Sequence, residues 1–293
     1  MQPFLSGVAF VGLYGLSYGI LLFIISIGLV ITMGLMRVMN LAHGAFAAIG
    51  GYATIALMKS AGLPYGLALA CAVVGVAALA VLLERAVFAY LYSASDLDQV
   101  LMTLGVNFVV IAFLTLVFGP NLYPAALPPS LRGSVDLGFR SFETYRLFLT
   151  TIGFAVAALV YFGFERTSFG ARLRAAVDNR TMAQAIGIDT GRLFSISFAI
   201  GAGLAALGGG VGMGLMPLEP FYPLKYLVLV LIVVSLSGTG DVRSALGAAL
   251  FVGLVDTAVR FLLPEVGGFL IYALLIGLIV WRRDGLFVPR TAR

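Results

Sequence analysis

Long apolar stretches separated by short polar breaks constrain this chain more than any other feature. Nine can be traced, at approximately 8–35, 43–58, 63–91, 98–118, 146–164, 194–214, 225–239, 243–262 and 266–281. Of the 293 residues, 61% are hydrophobic and 11% charged, and the mean hydropathy is +1.08. A water-soluble fold of this length has too little interior to hide so much apolar surface. Runs of roughly 18 or more apolar residues read as membrane-crossing helices. Transmembrane strands would alternate apolar and polar residues, and these runs do not. The expectation is an all-α, polytopic integral membrane protein of about nine transmembrane helices, within a range of eight to ten, forming one transmembrane domain over 1–293. The 36 glycines suit helices that approach closely in lipid. The second and seventh segments are short and glycine-flanked, a pattern of broken helices that line a pathway.

The net charge of +5 is distributed as in a membrane protein, which argues against nucleic acid as a partner. Nine passes put the termini on opposite sides, and basic residues gather on the cytoplasmic side. With the N-terminus outside, the inner side holds twelve cations: Arg37, Arg85, Arg166, Arg172, Arg174, Arg180, Arg192, Arg243, Arg282, Arg283, Arg290 and Arg293. The outer side holds six, namely Lys59, Arg132, Arg140, Arg146, Lys225 and Arg260. Residues 119–145 then form an outer loop whose four prolines predict turns or a short strand pair. The N-terminus lacks a basic region before its apolar run and reads as a first span rather than a removed signal.

The insert Glu165–Arg192 carries five of the eighteen cations. Arg166 to Arg174 reads as a continuation of the fifth span into the cytoplasm, its cations suiting a helix C-terminus. Asp178 or Asn179 can cap a short helix over TMAQAIG, and Gly187 is placed to end it. Met182, Ala183, Ile186 and Ile188 would form a small apolar patch, flanked by Arg180. Such a knob fits a groove on a soluble partner, and equally an ordinary interfacial loop.

Familiar catalytic chemistry is missing. The lysines are Lys59 and Lys225, and neither has the glycines and Ser/Thr of a phosphate-binding loop. If ATP powers this chain, another subunit binds it. One histidine and one cysteine exclude a His/Cys zinc site, and Cys71 has no partner for an intrachain disulfide. Neither a metal nor another cofactor is expected, and the chain does not read as an enzyme. His43 lies in MRVMNLAHGAF without a neighbouring nucleophile. It reads as a histidine bonded to a neighbouring carbonyl, or as part of a translocation path. Arg37, Asn40 and His43 recur at spacing three, one face if helical. Asn40 is a candidate N-cap for the second helix. With Gly44, this cluster is either a capped turn or a helix break that shapes a conduit. Asp256 and Arg260 lie four apart and form a candidate intramembrane ion pair. Asp256 is the clear carboxylate within a span interior, which weighs against a proton-coupled carrier. Glu84 and Arg85 are adjacent and point in different directions.

Several segments together resemble the inner-membrane permeases of ABC importers for branched-chain amino acids, of the LivH type. RVMNLAHGAFAAIGGY (Arg37–Tyr52) is similar to that family's signature, with Leu41 in place of the common Phe. Thr167–Arg192 resembles its cytoplasmic loop, where Ala183 and Gly187 match an EAA-type coupling motif that lacks its Glu here. Leu101–Val110 and RRDGLF (Arg282–Phe287) also fit, and SLSGTG (Ser235–Gly240) is a looser match to a Gly-Gly-hydrophobic-Gly run. The resemblance implies a permease in the bacterial inner membrane, paired with a second, LivM-like permease. Two cytoplasmic ATPases would bind below and a periplasmic binding protein would deliver substrate. The helix at 179–187 would carry ATPase motion to the spans. Relatives that carry urea or short amides are an alternative, and a stand-alone carrier or channel is another.

Overall fold

The computed structural model describes residues 2–35, 40–91, 94–124, 127–136, 141–238 and 241–281. Apolar sequence without a charge, and without a proline after the first turn, gives α1 (Gln2–Val30), which runs on as a π-helical turn at Ile31–Leu35. Then come α2 (His43–Ser60) and α3 (Tyr65–Leu83), the latter continued by a π-turn at Glu84–Phe88 and by α4 (Ala89–Leu91). Helix α5 (Asp96–Phe118) starts at Ser95, whose hydroxyl accepts from the Asp98 N–H, and two acidic residues occupy its first turn. A two-stranded antiparallel hairpin, β1 (Ser134–Asp136) and β2 (Ser141–Glu143), leads into α6 (Thr144–Glu165). The loop predicted at 119–145 thus contains a short strand pair, one of the two forms expected of it, placed after its prolines.

The insert folds as α7 (Ser168–Asp178) and α8 (Arg180–Ala185), followed by α9 (Thr190–Gly212). The last of the described helices are α10 (Tyr222–Lys225), α11 (Leu227–Ser237), α12 (Val242–Leu262) and α13 (Gly267–Trp281). Each of the nine apolar stretches is therefore helical. Among the described residues, six helices are long and apolar enough to cross a membrane: α1, α3 with its π-turn, α5, α6, α9 and α12. The other three are α2, with 18 residues, and the shorter apolar helices Tyr222–Ser237 and Gly267–Leu278.

Burial sorts the spans into layers. The α1 window is 83% buried and the α9 window 72%, against 22–33% for α3, α5, α6 and α12. α1 packs on α12, α9, α6 and α11, while α9 packs on α2 and α3. Small residues make these approaches possible. A Cβ on Gly253 of α12 would stand 2.3 Å from the Cα of Gly19 on α1. One on Gly28 of α1 would stand 2.3 Å from the Gly201 carbonyl oxygen of α9. Where lipids supply no hydrophobic drive between helices, this close contact is what holds the bundle together.

The connections alternate between two ends of the bundle. At one end Lys59 reaches the Tyr123 hydroxyl at 3.2 Å, Tyr123 N–H donates to the Leu218 carbonyl at 2.8 Å, and Phe10 packs on Phe261. At the other, Arg243 approaches Glu165 at 3.8 Å and hydrogen-bonds the Tyr161 hydroxyl. Asp241, just ahead of α12, is partly buried, which disfavours its charge. Hydrogen bonds within its cluster, including those from the Arg243 N–H and the Ser244 hydroxyl, outweigh that and hold its carboxyl below the usual range.

Candidate functional site

Three clusters hold the residues singled out in the sequence. The first is the insert. α6 stops at Glu165 instead of continuing: the Thr167 hydroxyl accepts from Gly170 N–H at 3.5 Å and starts α7 as a new helix. Gly170 is pressed against α6, where a Cβ would meet the Phe164 carbonyl oxygen at 1.7 Å. Arg174 donates to that same carbonyl at 2.9 Å, satisfying one of the orphan acceptors at the helix end. The span extension predicted over Arg166–Arg174 is therefore a sharp turn, because packing Gly170 on the end of α6 requires one.

Asn179, and not Asp178, caps α8. Its Oδ1 accepts from Met182 N–H at 2.9 Å, while Asp178 is the last residue of α7. Gly187 ends the helix at φ +86°. The Ile188 N–H bonds the Ala183 carbonyl at 3.0 Å and the Gly187 N–H bonds that of Gln184 at 3.0 Å, which together make a Schellman closure. The apolar patch splits in two. Ala183 is buried and Ile188 packs on the core, whereas Met182 and Ile186 are 60% and 69% exposed. Ala183 turns toward the bundle, and Met182 and the C-cap residue Ile186 turn away from it. Gln184 fixes the loop by donating to the Thr190 hydroxyl at 2.9 Å, and Arg180 lies over the Phe194 ring at 5.6 Å.

The second cluster opens α2. Arg37 lies outside the described residues. Residues 41–42 form a turn, one of the two forms open to this segment, so Asn40 and His43 do not lie on one helix. Asn40 does not cap the helix either. Its Oδ1 accepts from Ala42 N–H at 3.1 Å, and Ala42 occupies the cap position with no side-chain bond. Both Asn40 and His43 are buried. His43 Nε2 lies 2.8 Å from the Ile25 carbonyl oxygen of α1. That oxygen can only accept, so Nε2 carries the proton. Gly44 abuts α10, where a Cβ would stand 2.6 Å from the Pro223 carbonyl oxygen. The start of the second apolar segment thus touches α10, the short helix that leads into the seventh. α5 adds a residue here: Asn107 donates to the Leu41 carbonyl at 2.9 Å, and its Oδ1 is buried without a partner among the described residues. With Gln99 and Thr103 it makes a buried polar stripe at spacing four. That spacing was visible in the chain; its partner across 66 residues was not.

The third cluster lies at the far end of α12. Arg260 Nε donates to both Asp256 oxygens, at 3.0 and 2.9 Å, so the expected ion pair forms. The pair borders a cavity of about 640 Å³ walled by aromatic side chains from α1, α12 and α13, among them Tyr14, Tyr18, Phe261 and Tyr272. The sequence offered only weak signals for it, such as Tyr14 and Tyr18 four apart. A second carboxylate is also buried: Glu84, on the π-turn, accepts from the Ser195 hydroxyl of α9 at 2.5 Å, while Arg85 is exposed. Thr239, Gly240 and the Arg282–Phe287 segment lie outside the described residues. Gly238, which precedes them, ends α11 at φ +71°.

Comparison with known proteins places this arrangement. A family model described as branched-chain amino acid transport system / permease component matches residues 12–279. The chain is 28% identical over 289 residues to a probable branched-chain amino acid transport permease protein LivH of Methanocaldococcus jannaschii, covering 93% of this chain and 88% of that one. It is 25% identical to the high-affinity branched-chain amino acid transport system permease protein LivH of Escherichia coli K12, covering 89% of each. The corresponding figures for BraD of Pseudomonas aeruginosa are 23% and 83% of each. No solved structure matches the chain at a significant level. Six membrane-length apolar helices and a family match over most of the length agree: this chain is a multi-pass membrane protein and belongs to the family of branched-chain amino acid transport system permease components.

Proposed function

We propose that this chain is the membrane subunit of an ATP-driven importer that carries branched-chain amino acids across the inner membrane. It forms a single transmembrane domain over 1–293, with the N-terminus periplasmic, the C-terminus cytoplasmic, residues 165–192 facing the cytoplasm and 119–145 the periplasm. A second permease, LivM-like, completes the pathway. Two ATPases bind from below and a periplasmic binding protein supplies the substrate. The chain itself hydrolyses nothing in this reading. The likeness to branched-chain amino acid transport permeases supports the substrate, and the charge distribution of the loops supports the orientation.

One observation carries the coupling role. α8 presents Met182, and its C-cap Ile186, to solvent, while buried Ala183, Ile188 packed on the core and the Gln184–Thr190 hydrogen bond hold its other side to the bundle. An exposed apolar pair on a rigidly anchored helix is suited to a groove on a partner and to passing a push onward. In this reading Asn40, His43 and Gly44, buried where α2 meets α10, shape the conduit as a helix break. The test is purification of the tagged chain from its native membrane. Co-purifying ATPase subunits and ATP-dependent uptake of L-leucine in proteoliposomes are expected. A chain that purifies alone and carries substrate without ATP would replace this reading with a stand-alone carrier. ATP-driven uptake of urea in place of L-leucine would move the substrate to the amide-carrying relatives.

A further inference from the structure

The aromatic cavity beside Arg260 has a charge balance that the ion pair alone does not explain. Three cations line it, Arg146, Lys225 and Arg260, against one carboxylate, Asp256. Glu143 pairs with Arg146 at 3.0 Å and Glu219 pairs with Lys225, but neither glutamate lines the space. Asp256 engages Arg260 through Nε alone, and its own side chain is only 6% exposed, whereas that of Arg260 is 53% exposed. The two terminal nitrogens of Arg260 make no hydrogen bond to a described residue. An arginine fixed at Nε presents a planar fork that matches a carboxylate bidentately. The volume, about 640 Å³, lies in the range of small-molecule sites, and the surrounding aromatic walls favour an apolar body.

We propose that this cavity binds the transported amino acid, with its carboxylate on the free fork of Arg260 and its apolar side chain against the aromatic wall. Asp256 is then a positioning residue that aims the fork. The proposal rests on the amino-acid import reading and adds where in this chain the substrate is held. It also predicts selectivity: a ligand with a carboxylate is preferred over one without, and the aliphatic shape is read only loosely.

The test is equilibrium binding of radiolabelled L-leucine to the full chain, purified with its co-purifying subunits in lipid nanodiscs. Leucinamide, which lacks the carboxylate, serves as the competing probe. Losing a charge-assisted hydrogen bond corresponds to roughly a tenfold or greater change in affinity. Wild type is expected to prefer L-leucine over leucinamide by about that factor. R260Q should lose the preference by weakening L-leucine alone, and R260K, which keeps the charge but not the fork, should also lose most of it. Equal binding of the two probes by wild type overturns the proposal and needs no variant to fold. So does unchanged L-leucine binding in both variants. If native mass spectrometry shows phosphatidylglycerol retained by wild type and lost from R260Q while L-leucine binding is unaltered, the cavity is a lipid site and the proposal fails. ATP-driven L-leucine uptake that persists in R260Q with unchanged affinity rejects this site and leaves the import reading standing. Absence of such uptake in wild type rejects the import reading itself.

Discussion

Gly209 of α9 lies so close to Ala47 of α2 that a Cβ on it would stand 1.8 Å from the Ala47 carbonyl oxygen. One turn away, Gly50 of α2 meets Ala206 of α9 with a would-be Cβ 2.3 Å from its Cα. These two contacts bring α2, which is short and moderately apolar, against the most buried part of the bundle. Gly209→Ala should therefore separate the helices, at a cost of about 1–3 kcal/mol typical of overpacking. Gly75→Ala, on α3 where a Cβ would meet nothing within 4 Å, should be neutral or slightly stabilising. Thermal unfolding of the two variants in detergent checks this. Equal midpoints would show that α2 and α9 are not in close contact.

His43 links the start of α2 to the middle of α1 through the Ile25 carbonyl. His43→Ala removes a buried donor and should cost about 1–3 kcal/mol. His43→Gln, which retains an N–H of similar reach, should recover part of that. The recovery distinguishes a lost hydrogen bond from a lost volume, and the unfolding midpoints of the two variants measure it.

Orientation can be read by chemical labelling. In a Cys71→Ser background, Ser60→Cys and Ser168→Cys place single thiols at opposite ends of the bundle. A membrane-impermeant maleimide added to intact cells should label position 60, and position 168 only after permeabilisation. The reverse pattern would put the N-terminus in the cytoplasm.

The caps of α8 give a graded prediction. Asn179→Ala should cost about 1 kcal/mol locally through the lost bond to the Met182 N–H. Gly187→Ala strains a backbone at φ +86°. Both should lower ATP-driven uptake while membrane insertion and the global unfolding midpoint stay unchanged. Uptake equal to wild type in both variants would show that α8 need not hold its shape.

The sequence discloses what depends on near neighbours. Every apolar run is a helix, the Pro-rich loop contains a strand pair, and Gly187 ends α8, because helix periodicity, capping and turn chemistry are decided within a few residues. The Asp256–Arg260 pair was legible for the same reason, at one helical turn. Contacts across long separations were not. Asn40 reads as a cap, yet the chain turns at 41–42 and its side chain bonds two residues on. Arg166–Arg174 reads as a helix extension, yet Gly170 packing on Phe164 folds it back. Met182, Ala183 and Ile186 look like one patch on paper, but burial of Ala183 against the bundle leaves the other two alone outside. The aromatic cavity draws its walls from separate helices that only the fold brings together.

In the proposed mechanism energy enters this chain through the exposed face at α8, and the double variant Met182→Asp with Ile186→Asp removes the apolar character of that face. Both side chains point to solvent, so the change leaves the bundle intact and alters only what α8 offers a partner. The measurement is ATP-dependent L-leucine uptake by the reconstituted complex, with co-purification of the ATPase subunits scored on the same preparation. The expected result is a correctly inserted, normally stable chain that loses its ATPases or its ATP-dependent uptake. Full uptake with ATPases retained would mean that energy enters elsewhere.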